Sequence, residues 1–119
     1  MSLVVQDANI IIDLIECGIL ELFFCLELEV ITTSPVLSEI TQVQQQTSFK
    51  PAIRNKWLQV IEISTIEYLH LQLLNLPGLS VTDKSVLRLA DIRYACLLTG
   101  DGKLRKTAES CNVNVRGVL

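Results

Sequence analysis

Short apolar runs alternate along this chain with helix-length segments, and that alternation constrains the fold more than any other feature. The runs are LVVQ (residues 3–6), EVITT (29–33), LQVIEI (58–63), CLLT (96–99) and VNVR (113–116). Most are rich in apolar or β-branched residues, which suits buried parallel strands better than half-exposed ones. Between them lie helical patterns with readable ends. Asn9–Cys17 is closed by Gly18, and Ile19–Leu26 continues as a second short helix. Ser34-Pro35 is a natural N-cap and N1 pair opening the helix that carries Glu39. The polar stretch TQVQQQTS (41–48) reads as a helix end running into a loop, followed by a short helix over Pro51–Lys56. Thr65–Leu76 is helical up to Pro77-Gly78, Ser80–Tyr94 is the clearest helix, and Lys103–Cys111 is the last. The pattern predicts an α/β fold, a mainly parallel central sheet of about four to five strands flanked by helices. At 119 residues it is expected to be one domain, 1–119.

Composition narrows the classes. Half of the residues are hydrophobic, so a disordered chain is excluded. Despite the positive mean hydropathy, no membrane span is expected. The apolar stretch from Ile10 to Leu37 is broken by Asp13, Glu16, Glu21, Glu27 and Glu29, whereas a span needs roughly 20 nearly uncharged residues. MSLVVQDAN lacks the basic start of a secretory signal. Cys17, Cys25, Cys96 and Cys111 are widely spaced, without a C-x-x-C pair, and read as small core hydrophobes in a reducing compartment. The expected location is cytoplasmic. Charge is uneven: residues 1–49 carry seven acids and no Lys or Arg, while residues 50–119 carry ten bases and six acids. Such asymmetry fits a polyanion-binding face opposite an acidic one, and it equally fits ordinary surface charge.

The carboxylates carry the chemistry. Asp7 and Asp101 each fall just past a strand, at the edge where open parallel sheets bind ligands. A lone Asp there is commonly a turn residue. In the helix after Ser80, at roughly 100° per residue, Val86, Leu87, Ala90 and Tyr94 form an apolar stripe with Asp83 at its centre. Lys84, Arg88 and Asp91 fall on the opposite flank. Ser80-Val81-Thr82-Asp83 also matches a capping box, and both roles can hold for Asp83. Glu39 sits similarly among Val36, Ile40 and Val43. Four acids gathered in one place raise one another's pKa values, and a hard divalent cation, Mg²⁺ or Mn²⁺, resolves that conflict. With the single His70 in an apolar helix and no Cys cluster, zinc sites and His-based triads do not fit. Metal-assisted phosphodiester hydrolysis is the chemistry left.

VVQDANIIIDL, SPVLSEI, LSVTDKSVLRLA and LLTGDGKLRKTAE resemble, in order and spacing, the four motifs of PIN domains, closest to the VapC-like toxin ribonucleases of bacterial toxin–antitoxin pairs. The resemblance implies a three-layer PIN-like fold and Mg²⁺- or Mn²⁺-dependent cleavage of RNA. It implies Asp7, Glu39, Asp83 and Asp101 as metal-binding catalytic acids, with Asn9 and Thr99 in support. It further implies an antitoxin protein and a second copy of the chain as partners. Lys84, Arg88, Lys103, Arg105 and Lys106, close to two of the acids in sequence, are the expected RNA contacts. Two departures stand out. Gly102 and Lys103 follow Asp101 where many members carry another acid. The chain also stops at Leu119, where similar proteins continue through a closing helix.

Rival readings fit less well. A haloacid-dehalogenase phosphatase needs an Asp two residues after Asp7, and Asn9 stands there. A receiver domain needs an Asp after the third strand, where Ser64 and Thr65 stand. A PIN-like module that binds RNA or protein without cutting stays open.

Overall fold

The computed structural model describes residues 2–117; the expectation of an absent closing helix lies outside them. Its strands are β1 (Ser2–Gln6), β2 (Leu28–Thr33), β3 (Leu58–Ile61), β4 (Cys96–Leu98) and β5 (Val115–Arg116). They form one sheet in the order β3-β2-β1-β4-β5, with every pairing parallel. Between them run α1 (Ala8–Glu16), α2 (Leu20–Phe24), α3 (Ser34–Glu39), α4 (Val43–Arg54), α5 (Thr65–Leu73), α6 (Val81–Arg93) and α7 (Gly102–Ser110). This is a three-layer α/β fold, and β1, at the centre, places Asp7 in the middle of the sheet's carboxyl edge. No helix among the described residues is long and apolar enough to cross a membrane.

The core explains why the short strands are apolar. Val4 pairs with Val30, and Val5 with Ile31 and Leu97; all are buried. Ile10, Ile11 and Leu14 of α1 are almost wholly buried, each contributing about 1.5–3 kcal/mol of burial free energy. On the Ile31 side of β2, Thr33 shares a 2.8 Å hydroxyl–hydroxyl hydrogen bond with Ser85, which fastens α6 to that face. On the other side the Thr32 hydroxyl donates to the Gln6 carbonyl at 2.8 Å. Gln6 itself is fully buried, and its side-chain amide has no hydrogen-bond partner among the described residues.

Several expectations need correction. TQVQQQTS is not a helix end: α3 stops at Glu39, and most of this stretch forms the body of α4, which runs on through Pro51 to Arg54. Gln45 is buried and donates to Glu16 at 3.0 Å, so a glutamine makes the contact between α4 and α1. Val43 opens α4 at 75% exposure and is not part of the apolar stripe around Glu39. Thr33, not Ser34, occupies the N-cap of α3; the Ser34 hydroxyl instead accepts from the Ile63 amide at 3.0 Å. The cysteines are not core residues either, for Cys17, Cys25 and Cys111 are exposed and Cys96 is half-buried. Three of them lie at or just beyond helix ends, where the chain turns toward solvent.

Candidate active site

Asp7 and Asp101 follow neighbouring strands at the carboxyl edge of the sheet, and Asp83, in the first turn of α6, acts on Asp7 through its charge. Asp7 directly follows β1 and N-caps α1, its Oδ1 accepting from the Ile10 amide at 2.9 Å. Asp101 follows β4 and N-caps α7, its Oδ1 accepting from the amides of Lys103 (2.8 Å) and Leu104 (3.3 Å). Asp83 sits in the first turn of α6. Its Oδ2 accepts from the Ser80 amide at 3.2 Å while the Ser80 hydroxyl accepts from the Asp83 amide at 3.1 Å. The capping box is therefore real, and it holds Asp83 at the site rather than away from it.

Thr99 joins two of these acids. Fully buried, it donates its hydroxyl to Asp7 Oδ2 and accepts from the Asp101 amide at 3.0 Å. Asn9 is exposed on α1 and makes no hydrogen bond through its side chain among the described residues.

Charge coupling shows the convergence. Burial pushes the Asp7 carboxyl above its usual range; the hydrogen bonds from Thr99 and Ile10 pull it down, and the negative charges of Asp83 and Asp101 push it up again. Asp7 is only 4% exposed. A carboxylate whose folded pKa is raised stabilises the fold below its unfolded pKa and loses that contribution as pH rises. Without divalent cation, Asp7→Asn is thus expected to melt higher than wild type near pH 7, the gap closing below about pH 4. Thermal melts in chelator across that range check this; an Asn variant that melts lower at pH 7 contradicts it.

Glu39 stands apart from the trio. It ends α3 in an exposed position and lines a separate groove with Ser34, Tyr68 and Thr82. Among the described residues no three His, Cys, Asp or Glu side chains stand close enough to share one metal ion. The four-acid cluster expected from the sequence is thus three coupled acids and a fourth on the rim. Asp83 Oδ2 and Asp101 Oδ1 are turned to backbone amides, while the other oxygen of each has no hydrogen-bond partner among the described residues. That oxygen-only donor set fits a hard cation such as Mg²⁺ or Mn²⁺.

The expected RNA-contacting cations divide. Lys84 is buried, and its Nζ donates to the Leu74 carbonyl at 2.9 Å, so it braces the chain after α5 and is not available to a phosphate. The angular argument that put it on a solvated flank failed because α6 is buried over most of its girth. Arg88 is exposed but lines a different cavity, with Asp91, Ile92 and Cys111. Arg105 pairs with Glu109 at 3.5 Å on the outer face of α7, and Lys106 is exposed. Lys103, two residues beyond Asp101, lies against Gly78, where an added Cβ would stand 3.4 Å from its Cδ. The sequence reading missed Gln6, Thr32, Thr33 and Ser85, a set of buried polar side chains behind the edge. Thr32 and Thr33 close a β-branched run, which was the only signal among the four. A larger apolar cavity, about 460 Å³, lined by Leu14, Phe23, Leu26 and Leu98 among others, contains no titratable side chain and is not this site.

No curated protein sequence matches this chain. Among solved structures it resembles a domain of a functionally unknown protein from Methanocaldococcus jannaschii (17% identity, TM-score 0.62, covering 100% of this chain and 92% of that one). It also resembles VapBC2 from Rickettsia felis bound to a DNA fragment from their promoter (21%, 0.61, 97% and 98%). A third is PAE2754 from Pyrobaculum aerophilum (15%, 0.64, 98% and 91%). At such identities these likenesses speak for the fold. A family model described as PIN domain matches residues 3–119, which is nearly the whole chain. With its sheet order, its acids at the carboxyl edge and that match in agreement, this chain belongs to the PIN domain family.

Proposed function

We propose that this protein is a divalent-metal-dependent endoribonuclease. The observation that carries the reading is the buried Asp7 carboxylate at the sheet's carboxyl edge, joined to Asp101 through Thr99 and facing the charge of Asp83, an arrangement that costs free energy unless a cation meets it. PIN domains are generally nucleases, which agrees.

Asp7 and Asp101 would hold Mg²⁺ or Mn²⁺, and Asp83 would position the ion or the attacking water; Glu39, in its own groove, lies outside that set. Bound there, such an ion supplies an acidified water for in-line attack and positive charge toward the scissile phosphate. Thr99 fixes the spacing of Asp7 and Asp101, and Ser80 fixes Asp83. Lys103 is the cation best placed to meet a phosphate, with Arg105 and Lys106 further along α7. The likeness to VapBC2 supports an antitoxin as partner, and a second copy of the chain is the other partner proposed. The location proposed with this reading is the cytoplasm.

The wide spacing of the acids favours one alternative, a module that binds RNA or protein without cutting it. The test is cleavage of single-stranded RNA in Mn²⁺, with chelation and re-addition, beside binding titrated against salt. The expected result is cleavage lost in chelator and restored by Mn²⁺. With one to three phosphates neutralised, the log–log salt slope of binding should be about −0.7 to −2. RNA binding with no cleavage in any divalent cation would favour the non-cutting module, and absence of RNA binding would favour a protein partner.

A further inference from the structure

The groove that holds Glu39 is a site in its own right. It measures about 400 Å³ and is lined by Ser34, Pro35, Glu39, Ile63, Tyr68 and Thr82, among others. That volume falls within the range of small-ligand pockets, roughly 300–1,000 Å³. Its place in the fold is specific. Ser34 and Ile63 follow the carboxyl ends of β2 and β3, and a hydrogen bond links these two lining residues. The acids follow β1 and β4, the next strands in the same sheet. The groove thus lies beside Asp7 along the same edge, toward β2 and β3. Thr82, on its wall, immediately precedes Asp83.

Its chemistry suits a base and not a phosphate. No Lys, Arg or His lines it, and Glu39 would repel an anion. The apolar surfaces of Pro35, Ile63 and the Tyr68 ring offer a flat planar ligand its contacts, while the hydroxyls of Ser34 and Thr82 offer hydrogen bonds to its edge. Tyr68 is 41% exposed, and its hydroxyl has no partner among the described residues. Its position is firm. The Ser64–Glu67 capping box starts α5, the Tyr68 amide donates to the Ser64 carbonyl at 2.9 Å, and Leu71 anchors the same helix in the core.

We propose that this groove is a nucleobase pocket and that Tyr68 is its stacking platform, holding the base of a nucleotide next to the scissile phosphate of single-stranded RNA. The proposal rests on the nuclease reading and adds to it the element that grips the substrate. Stacking on an aromatic side chain tolerates every base, so the groove would set affinity and the register of cleavage more than sequence.

The test compares Tyr68→Phe, Tyr68→Leu and wild type, each confirmed folded by thermal melt. Binding of a short fluorescein-labelled single-stranded RNA of mixed sequence is followed by anisotropy in chelator, and cleavage kinetics in Mn²⁺. Tyr68→Leu is expected to weaken binding by about 5- to 100-fold and to raise KM more than it lowers kcat. Tyr68→Phe, which keeps the ring, should bind within about twofold of wild type, as stacking needs only the π-face. Wild type that binds RNA while Tyr68→Leu binds equally well overturns the pocket and leaves the nuclease reading standing. Equal loss in Phe and Leu variants would assign the contact to the hydroxyl and also overturns the stacking role. Wild type that binds no RNA overturns both readings together.

Discussion

Asp7→Asn is expected to lower RNA cleavage by about 10²- to 10³-fold, the cost typical of removing one charge-stabilising group from an active site. The substitution keeps one of the two hydrogen bonds of Asp7. Asn retains an oxygen to accept from the Ile10 amide, so α1 keeps its cap, and it nearly matches Asp in volume. What disappears is the charge, the property that opposes burial in the metal-free protein, together with the hydrogen bond accepted from Thr99. The same variant should therefore be more heat-stable near neutral pH in chelator and almost inactive in Mn²⁺. A structural Asp7 would show the reverse pairing, reduced stability with activity falling only as the folded fraction falls. Single-turnover cleavage alongside thermal melts separates the two.

That opposition between stability and activity explains how much of the site was legible. Asp7 and Asp101 were found because a strand-end acid in an alternating α/β pattern falls at the ligand-binding edge whatever the details of packing. Asp83 had two readings; the structure shows the capping box, and that box stands at the edge where the proposed site lies. Glu39 and Lys84 were less well placed, for a common reason. Each was argued from the angular stripe of a single helix, but α3 ends at Glu39 itself and α6 is enclosed by α3, α5, α7 and the sheet. A stripe shows which side of a helix is apolar; it does not show how many neighbours the helix has. The alternation gave the layers and the strands, within a residue or two at most ends. The Gln-rich body of α4 was missed because its helix is held by Gln45 and Phe49 against the rest of the molecule, not by a periodic apolar face. Gln6, polar yet wholly buried beside Asp7, has no local signature at all.

The central claim is that the acids at the sheet edge form a charged centre for catalysis and are more than helix caps, and Asp83→Asn tests it most directly. Asn still accepts from the Ser80 amide, so the capping box and α6 should survive, and the melting temperature should stay close to that of wild type. The measurement is single-stranded RNA cleavage in Mn²⁺ by the folded variant beside wild type. The account predicts an active wild type and a variant slowed by about a hundredfold or more. Wild-type-like cleavage by folded Asp83→Asn would reduce Asp83 to a cap and contradict the account. A wild type inactive under the same conditions would contradict the nuclease reading as a whole.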